Sequence, residues 1–252
     1  MIGVVIPCHH PGPALVAAVA SVGDTLTVVV DDSPQGSPPL PGVEQVRTSG
    51  SQGFAVAANL GLARLEALGC TYALVLNDDA ALRPGALSTI GDAFCESDGA
   101  VAPVLHEPDG PVYGIHVHRS GRVKLARRPV AVQALSGAAI LMRSQERFDP
   151  NFSHGFEDIE LCERLLGRGL RVRVIADAHC DHAGGATIDR RSRHAQRAAM
   201  SGHLRWVGGG LRAGFVVGLG FAQVLREGGP AERFLGIVDG VRDLLRGQPR
   251  VS

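Results

Sequence analysis

Two segments, Thr27-Val28-Val29-Val30-Asp31-Asp32-Ser33-Pro34 and Ala73-Leu74-Val75-Leu76-Asn77-Asp78-Asp79-Ala80, are built alike. Each is a short Val/Leu run that ends in paired carboxylates and then turns. Runs of that length and composition read as strands of a parallel sheet, buried on both faces. In open α/β sheets, ligands bind beyond the carboxyl ends of the strands. Both acidic pairs therefore fall on the rim where a ligand would sit. Asp is also a turn former, because it readily bonds its own backbone. Two equivalent strand ends with the same acidic pair favour a site over turn chemistry alone.

A third pair lies downstream, in Gly155-Phe156-Glu157-Asp158-Ile159-Glu160-Leu161-Cys162-Glu163-Arg164-Leu165. Leu161, Cys162, Leu165 and Leu166 form one apolar stripe at helical spacing. Glu157 and Asp158 thus open a helix, where the backbone favours negative charge. A carboxylate there is expected to stay ionised near neutral pH and to serve as a proton acceptor. The simpler role for Asp158 is a helix cap.

Around these segments, strands alternate with helices. Strands are expected at Ile2–Pro7, Leu26–Val30, Val43–Arg47 and Ala73–Leu76, and helices at Pro13–Val22, Phe54–Leu68 and Gly85–Phe94. This alternation points to a parallel α/β core. The middle changes character. Short strands at Ala100–Leu105, Val112–His118, Val123–Ala126 and Ala138–Met142 follow one another without helices, as in a mixed sheet or an antiparallel insertion. Val172–Ile175 resumes the strand pattern, and residues after about Arg190 read as helical, ending in an amphipathic helix at Asp239–Leu245.

The chain has 252 residues, with 25 Lys+Arg against 25 Asp+Glu. That length suits one large domain, or one domain with a small appendage. Zero formal charge offers no field to gather nucleic acid, so none is expected as a partner. Arg190, Arg191, Arg193 and Arg197 form a local basic cluster that meets phosphates or is a solvated helix face. The five cysteines show no zinc-ribbon spacing, and their number fits a reducing cytoplasm. Cys8-His9-His10 and Cys180-Asp181-His182 lack the four-ligand pattern of structural zinc. No apolar run is long enough to span a membrane, and the first residues read as a strand rather than a signal peptide. The Gly-rich apolar stretch Gly208–Gly228 docks on the main domain, forms a homodimer contact or touches a membrane surface. Neither a Gly-x-Gly-x-x-Gly turn nor a Walker loop follows a strand. A bound nucleotide's diphosphate would then be neutralised by a divalent cation on the strand-end carboxylates.

With these residues assembled, the chain resembles the family-2 glycosyltransferases, most closely their rhamnosyltransferase-like branch. The resemblance covers most of residues 2–190. It is carried, in the family's order, by Val4-Val5-Ile6-Pro7, Val30-Asp31-Asp32-Ser33, Gly53-Phe54-Ala55-x-Ala57-x-Asn59-x-Gly61, Leu76-Asn77-Asp78-Asp79, Ser136-Gly137-Ala138-Ala139, Phe156-Glu157-Asp158 and His182 to Thr187. It implies a GT-A, Rossmann-like fold: a mixed, mainly parallel central sheet flanked by helices over residues 1–205, with a C-terminal helical appendage over 206–252. It also implies an inverting, metal-dependent transfer of a sugar, rhamnose among the options, from a nucleoside-diphosphate donor to an acceptor hydroxyl. The donor would be dTDP-, UDP- or GDP-linked, and the cofactor Mg²⁺ or Mn²⁺.

Carried over by residue, Asp158 matches the general base. Asp79 matches the metal-holding carboxylate, and His182 the histidine near the metal. Pro7, Asp32, Gly53, Asn59, Asn77 and Asp78 fall in donor-binding positions, with Asp32 on the base. Gly137 and Glu157 lie toward the acceptor. The chain departs from the pattern at Asn77, where the family's metal motif begins with Asp, although the rhamnosyltransferase-like branch often carries Asn there. It also departs at Cys8-His9-His10, where His9 or His10 contacts the base or lines the loop, and at Ser51, where Asn is common. His154 is a second candidate for acceptor contact. Trp206, the only tryptophan, reads as a packing residue rather than a sugar platform. A cytoplasmic enzyme is expected, free in solution or peripheral at the inner membrane face. Two other functions stay open: a sugar-1-phosphate nucleotidyltransferase, and a non-catalytic nucleotide-sugar-binding protein.

Overall fold

The Val/Leu runs form the centre of a nine-stranded sheet. β1 (Ile2–Cys8), β2 (Thr27–Asp31), β3 (Glu44–Arg47) and β4 (Tyr72–Leu76) are parallel, in the spatial order β3-β2-β1-β4. Beyond β4 the sheet turns mixed. β10 (Ala139–Arg143) lies antiparallel between β4 and β6 (Asp98–Glu107), and β11 (Arg171–His182) runs parallel to β6. β5 (Ala80–Leu82) closes the far edge against β11, and β7 (Gly110–Val112) folds back on β6. β8 (Ile115–Val117) and β9 (Val123–Leu125) make a separate two-stranded hairpin. This computed structural model describes residues 1–9, 11–152, 155–183, 193–208, 210–226 and 231–245, apart from the side chains of 193–196 and 244. His10, His154, Arg190, Arg191, residues 184–187 of the last motif and the Arg193 side chain lie outside the described set.

Alternation along each strand feeds two apolar layers. Val5, Val28, Val30 and Val75 face α2 (Phe54–Ala67) and α4 (Glu157–Gly167), which bring Leu62, Leu65, Leu161 and Leu165. Val4, Ile6, Val29, Leu74 and Leu76 face α1 (Pro13–Ser21) and α3 (Ala86–Ala93), which bring Leu15, Ala18 and Ile90. Helices on both faces explain why the strands read as continuous hydrophobic runs. A third cluster, of Met200, Leu204, Val207, Val216, Val224 and Ile237, joins α5 (Arg193–Val207), α6 (Leu211–Arg226) and α7 (Ala231–Leu245). The 205/206 boundary expected from sequence falls inside α5, which packs with the other two C-terminal helices. No helix among the described residues is long and apolar enough to cross a membrane.

The single strand expected at Val112–His118 is two. Gly114, with φ 96°, breaks it, so Val112 ends in the main sheet and Ile115 starts the hairpin. Gly61 has a packing role. A Cβ there would lie 2.4 Å from Val5 Cγ1 and 3.0 Å from Val30 Cγ2, so the close approach that this glycine permits is of α2 to the sheet. Replacing an interior helix Gly with Ala ordinarily gains about 0.5–1 kcal/mol, whereas forcing a methyl into a packed core costs about 1–3 kcal/mol. The overpacking term is the larger. Gly61→Ala is expected to lower the denaturant midpoint, and an unchanged or raised midpoint would show that the sheet yields at this point.

Candidate functional site

The carboxyl ends of β1, β2 and β4 meet at one rim. Asp31 is spent on its own turn: its carboxylate accepts from Ser33 N, Ser33 Oγ and Ser37 N at 2.5–3.0 Å. Burial alone would raise its pKa, but these bonds hold it below the ordinary value. Asp32, 4% exposed, organises the following loop. Its carboxylate accepts from Thr48 Oγ1 at 2.5 Å, Gln52 N at 2.8 Å and Gly53 N at 2.9 Å. Gly53, with φ 91°, caps α2, so Asp32 places its charge on a helix N-terminus. A carboxylate has about four acceptor positions, and three are filled. His9 ties this corner to the next one. Its ring Nδ1 lies 3.1 Å from the Asp32 carbonyl, and its backbone N–H donates to Asp78 Oδ2 at 3.2 Å. Pro7 lies beside Val30 in the pairing of β1 with β2.

At the end of β4, Asn77 and Asp79 enter the site from a tight turn. The Asp79 side chain is 7% exposed, and its Oδ1 lies 3.3 Å from His182 Nε2 without making a hydrogen bond. His182 Nδ1 faces Glu107 Oε1 at the same distance. Burial opposes charge on His182, but the two flanking carboxylates outweigh it and lift its pKa to about 9. Asp79, also penalised by burial, is held low by His182. The short strand β5 sets this contact by pairing Ala80 with His182, one residue from Asp79. Neither β5 nor Glu107 was foreseen from sequence. A three-residue strand shows no periodicity, and Glu107 gains meaning only from the pairing of β6 with β11, in which Asp181 sits opposite His106. No group of three His, Cys, Asp or Glu side chains among the described residues is arranged to hold a metal unaided.

The third acidic pair joins the same rim. Asp158 Oδ2 accepts the Gly137 N–H at 2.9 Å, and Oδ1 accepts the Ile159 N–H at 2.8 Å. One residue on, the Ala138 carbonyl accepts the Asn77 N–H at 2.9 Å. The segment before β10 thus spans from the candidate base to the turn bearing Asp79. Burial pushes both pKa values up; for Glu157, lifted to about 8 with the Asp158 charge adding to it, the expectation of ready ionisation is corrected. Glu157 Oε2 is buried with no hydrogen-bond partner. Asp158 is not the N-cap residue of its helix, although its bond to Ile159 satisfies one first-turn amide. The N-cap is Phe156, held at φ 73°, a left-handed conformation that costs a non-glycine residue about 1–3 kcal/mol. Its ring stacks on His203, centroids 4.3 Å apart, and on Trp206 at 5.8 Å. Trp206 Nε1 donates to Glu163 Oε2 at 2.7 Å, which makes it a docking residue between α5 and α4.

Asn59 sits elsewhere. Its carboxamide donates to the Phe148 carbonyl and accepts the Phe148 N–H, both at 2.8 Å, so it clamps α2 to the segment after β10 instead of facing a donor.

The curled mixed sheet with these strand-end acids is the GT-A fold. One structure similar in fold is that of GalNAc-T7 with UDP, GalNAc and Mn²⁺ (TM-score 0.63, 14% identity, 82% of this chain and 47% of that one). A second is a mannosyltransferase from Pyrobaculum calidifontis in complex with GDP-Man and Mn²⁺ (TM-score 0.57, 14% identity, 98% and 87%). In sequence, the chain is similar to the pre-mycofactocin glycosyltransferase of Mycobacterium tuberculosis, at 30% identity over 86% of this chain and 52% of that protein. It is also similar to the same organism's N-acetylglucosaminyl-diphospho-decaprenol L-rhamnosyltransferase, at 26% identity over 71% and 75%. The chain thus spans about half the length of the first of these relatives. No protein-family model matches it. Its curated relatives are glycosyltransferases, in keeping with the family-2 resemblance carried by its motifs.

The Glu157 shift predicts a pH dependence. An acid whose pKa is near 4.5 unfolded and about 8 folded binds more protons in the folded state between those values. Stability then falls as pH rises through that window, by on the order of 1.4 kcal/mol per pH unit. Glu157→Gln keeps the shape and cannot ionise. Melting temperatures of the two proteins measured from pH 5 to 8 are expected to diverge in favour of the variant as pH rises; parallel curves would mean that Glu157 is solvated.

Proposed function

We propose that this protein transfers a sugar, with inversion, from a nucleoside-diphosphate donor to an acceptor hydroxyl. The observation that carries the reading is the bridge Asp158–Gly137-Ala138–Asn77, which places a candidate base and the Asp79 turn at one rim. Single displacement needs both, on opposite sides of the anomeric carbon. Asp158 accepts the hydroxyl proton, worth about 10²–10⁴ in rate. Its raised pKa brings it toward the operating pH, where a general base works best. Glu157 stays protonated beside it and faces the acceptor. Asp32 receives the donor's base at its remaining acceptor position, and Pro7, His9, Gly53, Asn77 and Asp78 line the donor side.

The residues fit a divalent cation. Asp79 Oδ1 is a buried oxygen without a hydrogen-bond partner, 3.3 Å from His182 Nε2. Mg²⁺ is usually bound by one or two carboxylates plus substrate phosphates, so Asp79, with His182 beside it, would hold Mg²⁺ or Mn²⁺. When bound, the ion stabilises negative charge on the leaving diphosphate. His182 gives up its proton if it becomes a ligand. Structural neighbours crystallised with Mn²⁺ support this assignment. Rhamnose remains the leading sugar because one relative is a rhamnosyltransferase. The relatives' names favour transfer over nucleotidyl transfer or binding without catalysis. The free cysteines suit a cytoplasmic setting, with the acceptor reached in solution or at the inner membrane face.

Two measurements test this. A thermal-shift screen of UDP-, dTDP- and GDP-sugars is expected to raise the melting temperature for one donor only when Mn²⁺ or Mg²⁺ is also present. Asp158→Asn is expected to fold and to bind that donor, yet to lose about 10²–10⁴ of turnover. Near-normal turnover in the variant would remove Asp158 from the chemistry.

A further inference from the structure

A cavity of about 590 Å³ opens between the β8–β9 hairpin, the N-cap of α4 and helices α5 and α6. Its volume lies in the range of small-molecule sites. The floor is apolar: Val123, Phe156, Met200 and Val216. Three cationic side chains, Arg122, Lys124 and Arg226, also line it, and no acidic residue among the described residues does. All three residues are exposed, and none has a carboxylate partner among the described residues. Elsewhere, many of the chain's arginines are paired with acids, as Arg173 is with Asp98 and Arg197 with Asp243. Among the described residues, three cations without a carboxylate partner thus surround one apolar hollow.

Along α6, Leu211, Phe215, Leu219 and Ala222 fall on one helical row. Leu219 and Ala222 line the cavity, while Leu211 and Phe215 are 95% and 46% exposed. The row carries the apolar floor outward as an uncovered track. Phe156, in the cavity wall, immediately precedes Glu157 and Asp158.

We propose that this cavity binds an anionic amphiphile, its phosphate or diphosphate head between Arg122, Lys124 and Arg226 and its apolar chain on the Val123–Met200–Val216 floor, leaving along α6. Charge complementarity selects the head, and the apolar floor with its track selects the chain. On the transferase reading, on which this part of the inference rests, the amphiphile is the carrier of the acceptor, delivered to Asp158 past Phe156. The binding site itself does not depend on that reading.

The test uses the full chain in EDTA, with farnesyl diphosphate below its micelle concentration as the probe and farnesol and inorganic diphosphate as controls. Calorimetry reads binding. The amphiphile is expected to bind at least about tenfold more tightly than either control, a difference of about 1.4 kcal/mol. Arg122→Glu/Lys124→Glu/Arg226→Glu, which alters only exposed side chains, and Ala222→Trp, which fills the hollow and leaves the charges, are each expected to weaken it by about tenfold or more. Both variants should keep the wild-type thermal shift with the nucleotide-sugar donor and metal. Affinity no better than that of inorganic diphosphate, or affinity that neither variant changes, overturns the proposal. If the donor binds and the amphiphile does not, the cavity assignment falls and the transferase reading stands. If the amphiphile binds as expected and no donor does, the site stands and the transferase reading falls.

Discussion

The site depends on the hydrogen bond from the Gly137 N–H to Asp158 Oδ2. Asp158 lies on a helix packed against one face of the sheet, and the Asn77–Asp79 turn lies at a strand end. The bond joins them because β10 runs antiparallel between β4 and β6, so that residues 136–138 enter the sheet where β4 leaves it. A parallel strand there would enter from the opposite end, and the 136–138 segment would be a sheet's height from Asn77. Sheet polarity at this one strand is what places a helix-borne carboxylate beside a strand-end turn.

The rim gathers carboxylates that would repel one another if all were ionised and unpaired, and each is managed differently. Asp31 is bonded by its own turn, and Asp32 by backbone amides at a helix N-terminus. Asp79 faces a cationic His182, which Glu107 also holds. Glu157 is kept neutral by burial and by its neighbour. The residues whose two oxygens are both bonded, Asp31 and Asp32, shape the loops. Those with an oxygen left over, Glu157 and Asp79, lie where a ligand could supply the missing partner.

What was legible in the sequence follows from which signals are local. The Val/Leu runs fixed the parallel strands, because burial on both faces leaves a composition that a reader can see. The acidic pairs were visible because they end those runs. The His182–Asp79 contact was reached only through resemblance, since it depends on the pairing of β5 with β11 across about a hundred residues of chain. Asn59 and Gly61 show the opposite failure. Their motif was legible, but the physical reason was not: one grips the Phe148 backbone and the other lets α2 touch Val5. A motif marks a close approach without saying of what. The ionisation of Glu157 was misjudged because a helix start argues for charge, while burial, which no spacing reveals, and the neighbouring Asp158 charge argue more strongly against it.

The strained start of α4 links the acidic rim to α5. Phe156 holds a left-handed backbone, and such a conformation persists only where the surroundings over-determine it. Here His203 and Trp206 stack on its ring, and Trp206 is fixed to Glu163 on the same helix. Gly202 completes the fit: a Cβ there would come within 2.6 Å of the Gly155 carbonyl. Helix α5 therefore bears directly on the position of the residue that precedes Glu157 and Asp158, and with α6 it forms one wall of the adjoining cavity. Helix α5 is thus tied to the residue that starts the helix bearing Asp158, with Trp206 gripping Phe156 on one side and Glu163 on the other.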